Sequence, residues 1–166
     1  MNKEFWAEHY PDSIDWTIMG FTADELRAMD PQPERLTYRT LAPQVTEGFW
    51  KNEQFDSSNF AKAGEKFCYI KSRLTYEEGH DPQFEDFQEQ LDIALREAGL
   101  GCQIGAGRGS EFYFFDLALK DIDAAVDVMK RLTLVNDLPK QTWLMFYDAA
   151  DKAKSIELHI EAPAGV

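Results

Sequence analysis

The last hundred residues switch repeatedly between two hydrophobic periods, and that switching limits the available folds more than any other feature. "KFCYIKSRLT" (66–75) is rich in β-formers and reads as a strand. Asp81 and Pro82 then open a helix, since Asp caps free amides and Pro suits the first helical position. Phe84, Phe87, Leu91, Ala94, Leu95 and Ala98 fall three or four apart and make one apolar stripe, and Gly99 supplies the stop. "GCQIG" and "EFYFFDLAL" read as two strands joined by the glycine-rich "AGRGS" in a hairpin with a flexible loop. Asp121 caps a second helix with Ile122, Ala125, Val126, Met129 and Leu132 inward, ending at Asn136 to Pro139. "TWLMFYD" (142–148) is a strand, and "SIELHIE" (155–161) alternates with Ile156, Leu158 and Ile160 inward.

The resulting order is β-α-β-β-α-β with one further strand. It predicts an α+β fold of ferredoxin-like type, an antiparallel sheet with both helices on one face and an extra C-terminal strand. Residues 61–166 form this core, and residues 1–60 form an aromatic-rich N-terminal extension packed on it. In that extension Thr22-Ala23-Asp24-Glu25 has capping-box spacing for a short helix to Met29, which Pro31 and Pro33 break. "RLTYRTL" reads as a strand. Trp6, Trp16, Phe49, Trp50, Phe55 and Phe60 are too many aromatics for a loose tail, so they are expected to pack over the open face of the sheet.

Charge narrows the partners. A net charge of -13 repels phosphate, which argues against nucleic acid and anionic membranes and for a basic partner. No run approaches the ~18 apolar residues of a membrane span. The first residues carry no secretory pattern, and the two cysteines, Cys68 and Cys102, make no disulfide framework, so a reduced, cytoplasmic protein is expected.

The motifs offer little chemistry. His9, His80 and His159 are far apart without ligand spacing, so no metal is expected, and no cofactor fingerprint stands out. "GAGRGS" (105–110) lacks the Lys-Ser/Thr pair and helix of a phosphate loop. Neither a serine elbow nor a motif-placed cysteine and histidine is present. The β-α-β-β-α-β order is shared with RNA-recognition motifs, and Phe112 and Phe114 sit where such motifs stack bases. The strongly acidic neighbouring helix opposes that use.

That helix is the most charged stretch of the chain. Residues 77–97 hold eight acidic side chains and one basic one. A charge run is ordinarily a solvated face. Concentrated here, it also suits electrostatic docking of a basic protein, with carboxylates accepting from Lys or Arg. The candidate docking residues are Glu77, Glu78, Glu85, Asp86, Glu89 and Asp92, with Arg108 at the tip of the glycine loop as a further contact.

The run "GAGRGSEFYFFDLALKDIDAAVDVMKRL…LP", a glycine loop, a strand and then a D-x-D-A-A helix, resembles the C-terminal part of small bacterial immunity proteins. These neutralise polymorphic toxins delivered between cells by contact-dependent or type VI systems. The resemblance covers about residues 99–147 and implies a non-enzymatic inhibitor that binds a cognate toxin, often across its active site. Two alternatives stay open: a small enzyme with an acid–base carboxylate, and a ferredoxin-like ligand-binding regulatory domain.

Overall fold

The computed structural model describes residues 3–11, 16–51, 54–75 and 82–159, without the side chains of residues 48–51 and 82. Phe49 and Trp50 therefore fall outside the described side chains. Glu77, Glu78, His80, Asp81, Ile160 and Glu161 fall outside the described residues.

Seven strands among the described residues form one sheet: β1 (Thr17–Gly20), β2 (Thr37–Thr40), β3 (Lys66–Arg73), β4 (Gly101–Arg108), β5 (Phe112–Leu119), β6 (Thr142–Phe146) and β7 (Ser155–Glu157). Every neighbouring pair is antiparallel, in the order β1-β2-β4-β5-β3-β6-β7. Five helices accompany them: α1 (Lys3–His9), α2 (Ala23–Ala28), α3 (Pro43–Lys51), α4 (Pro82–Glu97) and α5 (Ile122–Val135).

The α+β class agrees with the expectation, but the strand order of the whole sheet is not the ferredoxin-like one. The difference arises in the first 60 residues. Their Trp6, Tyr10, Val45 and Phe55 pack against the sheet, and they also insert β1 and β2 at its β4 edge. β1 gives no clear sequence signal because it is four residues long and three of its residues are exposed, so it lacks alternation.

The helix ends follow local chemistry. The Asp121 carboxylate accepts from the Ala124 amide at 3.1 Å and starts α5. Gly99, at φ 69°, ends α4: its amide donates to the Arg96 carbonyl and the next amide, Leu100, donates to the Leu95 carbonyl. Thr22 and Glu25 exchange bonds of 3.1 Å, the reciprocal cap expected for α2.

Each face of the sheet is built by alternation. On one face Ile70, Phe115, Leu117 and Leu144 meet Phe84, Phe87, Leu91 and Leu95 of α4, with Ala125, Met129 and Leu132 of α5. On the other, Phe67, Ile104, Ala118 and Tyr147 meet Trp6 and Tyr10 of the N-terminal stretch, with Val45 and Phe55. Each large side chain buried this way contributes roughly 1.5–3 kcal/mol, so Trp6, Tyr10 and Phe55, with Phe60 partly buried beside them, form a second core, whereas Trp16 lines a groove beside α4.

The "GAGRGS" stretch departs from its expected role. It is not a flexible loop; β4 runs through Arg108, and the Gly109 amide closes a tight turn on the Phe112 carbonyl at 2.8 Å. The glycines face β2 instead of solvent. Gly107 pairs with Tyr38 and Gly105 with Thr40. A Cβ at Gly107 would overlap the Tyr38 ring and the Thr37 carbonyl, and one at Gly109 would overlap the Glu34 carbonyl. Missing side chains thus let β2 and its leading loop come close. Gly107→Ala should lower stability by about 1–3 kcal/mol, read as a lower urea midpoint with an unchanged slope.

Candidate functional site

The apolar stripe of α4 turns Phe84, Phe87, Leu91 and Leu95 to the sheet, so the remaining residues face outward or sideways. Glu85, Asp86 and Glu89 are exposed. Glu85 and Glu89 border a groove of about 600 Å³ whose other walls include Trp16, Arg39, Gln103 and Ala106. Asp86 does not border it.

Asp92 also lines the groove, but it is not an outward docking acid. Both of its carboxylate oxygens accept from Arg96 Nε at 3.0 Å, and one accepts from the Gln103 amide at 2.8 Å. Arg96 in turn donates to the Tyr10 carbonyl at 2.7 Å. Asp92 and Arg96 therefore clamp α4 to β4 and to the end of the α1 segment. Glu85, Glu89 and Asp92 border the same groove, but Asp92 serves the fold.

Arg108 is corrected as well. It is the last residue of β4, paired with Thr37 and half-buried, and its guanidinium lies 5.8 Å from the Tyr113 ring centre. Its carbonyl accepts from the Leu36 amide at 2.9 Å. It is a strand residue against a ring, not a loop-tip contact.

A buried ion pair among aromatic rings lies outside the expected site residues. Arg35 is completely buried, and its guanidinium carbon lies 4.7 Å from the ring centres of Tyr38, Tyr69 and Phe114 and 5.3 Å from that of Tyr147. Arg35 Nη1 stands 3.4 Å from Asp116 Oδ1, and the Tyr147 hydroxyl donates to the same carboxylate. Strand alternation brings these groups together: Asp116 pairs with Tyr69 and with Gly105, while Phe114 and Tyr38 both pair with Gly107. A sequence signal existed. Asp116 is a lone acid in the apolar run "FYFFDLAL", and a buried carboxylate demands a partner.

Burial raises the Asp116 carboxyl above its ordinary value, although Arg35 and the bond from Tyr147 oppose that shift. Burial likewise pushes the Tyr38 and Tyr147 phenols well up. For Arg35, burial alone disfavours the charge, but Tyr147, Tyr38 and Asp116 outweigh it and keep the guanidinium charged. Asp116 is fully enclosed and borders neither large surface groove. A raised carboxyl sealed from solvent stabilises structure and has no path to a substrate. Phe112 and Phe114 are buried too, so neither ring is presented for base stacking.

The remaining reactive types are also enclosed. Cys68 and Cys102 are free and buried, and burial is the first cause pushing both thiols well above the usual range. Among the described residues no group of three or more His, Cys, Asp and Glu is arranged to hold a metal, and no helix is long and apolar enough to cross a membrane. No protein-family model, curated protein or solved structure matches this chain.

Two outcomes follow from this geometry. Arg35→Met strands a buried carboxylate and should cost about 3–5 kcal/mol in chemical denaturation, while Arg35→Met with Asp116→Leu should cost less, because no charge is left unpaired. In the folded protein neither thiol should react with a disulfide reagent over minutes, and both should react in urea.

Proposed function

We propose that this chain is a non-enzymatic immunity or inhibitor protein that neutralises a basic cognate toxin through the outer side of α4. One observation carries the reading: Glu85, Asp86 and Glu89 stand exposed together on one helix of a chain with net charge -13. Such a patch speeds encounter with a cationic surface and orients it. Each carboxylate is an acceptor for a partner's Lys or Arg. Asp92 and Arg108 drop out of the docking set, since both are engaged within the fold.

The enclosure of Asp116, Cys68 and Cys102 supports a binding role over an acid–base or thiol reaction. Two free, buried cysteines suit a reducing, cytoplasmic setting. We also read the middle strands β4-β5-β3-β6, with α4 and α5, as a ferredoxin-like unit widened by β1 and β2 on one edge and β7 on the other.

The test is association with a toxin-like protein sought among the products of the neighbouring genes, followed by stopped flow. Glu85→Lys, Asp86→Lys and Glu89→Lys combined should slow association about tenfold or more at low salt. The gap should close at high salt, with unchanged circular dichroism. An unchanged association rate for the triple variant would remove the proposal.

A further inference from the structure

The helix layer is narrower than the sheet it covers. α4 and α5 pack on the middle strands, but the same face continues onto β2 and β1. The cross-strand row Ile18, Arg39, Ala106 and Phe115 defines that face, because Phe115 packs beneath α4. Along it Ile18 is 80% exposed, and Thr37 and Arg39 are exposed as well. Neighbouring strands stand about 4.8 Å apart, so β1 and β2 span about 10 Å. One helix with its side chains is about 10 Å across, and packed helices lie about 8–10 Å apart. Among the described residues this floor, bordered by Trp16, therefore has room for one more helix beside α4.

We propose that this slot receives an amphipathic helix from a basic partner, completing the helix layer as a third member. The inference rests on the docking role of α4 and names the element that docks. The guest sets an apolar stripe on Ile18 and Ala106, reaching Phe21 where the floor continues past β1. Its flank toward α4 carries Lys or Arg against Glu85 and Glu89, the acids that border the groove. Arg39 puts a positive charge on the floor, so the basic positions belong on the α4 flank alone. Charge selects against a second copy of this chain, since two molecules at -13 repel and would face Glu85 and Glu89 with further acid.

The test uses a synthetic 14-residue peptide with Leu at helical three–four spacing and Lys on one flank. A second peptide of equal composition has its Leu positions scrambled so that no apolar face forms. Binding to the full chain is followed by amide shifts in nuclear magnetic resonance. The patterned peptide should bind with shifts at Ile18, Gly20, Thr37 and Ala106. The scrambled peptide should bind at least tenfold more weakly. Ile18→Lys and the pair Glu85→Lys with Glu89→Lys should each weaken binding tenfold or more, and these exposed positions leave folding intact. Equal binding of both peptides, shifts confined to other surfaces, or an Ile18→Lys variant that binds normally overturns the helix slot. If charge reversal alone weakens binding in that case, the acidic docking surface survives without it. No binding of either peptide at millimolar concentration removes the helix slot, and association of the charge-reversed triple variant then decides the acidic surface by itself.

Discussion

A guanidinium without water must be held on every side, and meeting that demand at Arg35 organises much of the fold. Taking a charge of this kind out of solvent costs several kcal/mol even after relaxation. Two means offset it here: the Asp116 carboxylate at 3.4 Å and four ring faces within 5.3 Å. A desolvated cation–ring contact is worth about 2 kcal/mol, so the rings together are comparable to the ion pair. The partners come from β2, β3, β5 and the end of β6, so the one cation couples four strands.

The cage also explains the glycines of β4. Tyr38 can close over the guanidinium only if β2 lies flat against its neighbour. Gly105 and Gly107 remove the side chains that would lift it, and Gly109 admits the backbone that leads to Arg35. A glycine-rich stretch beside a strand is easily taken for a turn, since both uses need a residue without Cβ. Local composition does not separate them; the partner strand does, and that partner lies about 65 residues earlier in the chain.

This distinction marks what was legible in the sequence. α4, α5 and β3 to β6 announce themselves because period and caps act within a few residues: Phe84 to Leu95 face inward, Asp121 caps, Gly99 stops. The exposure of Glu85, Asp86 and Glu89 follows from the same stripe. β1 could not be seen, because an edge strand with both faces largely open has no alternation to display. Asp92 was misassigned for a related reason. Its helical position places it beside Glu89, but its bonds go to Arg96 and to Gln103 on another element, and only the packing of α4 on β4 decides that.

The strand order has a consequence for how the molecule is made. β2 pairs with β4, so Thr40 waits for Gly105, and Arg35 waits for Asp116 and then Tyr147. At about 5–20 residues per second, a ribosome takes seconds to deliver those later residues. Through that interval Arg35 stays hydrated and Trp6, Val45 and Phe55 have no sheet to cover. The first third of the polypeptide thus cannot complete its contacts until residues as far as Tyr147 exist, and a nascent chain halted before Asp116 leaves Arg35 without its carboxylate.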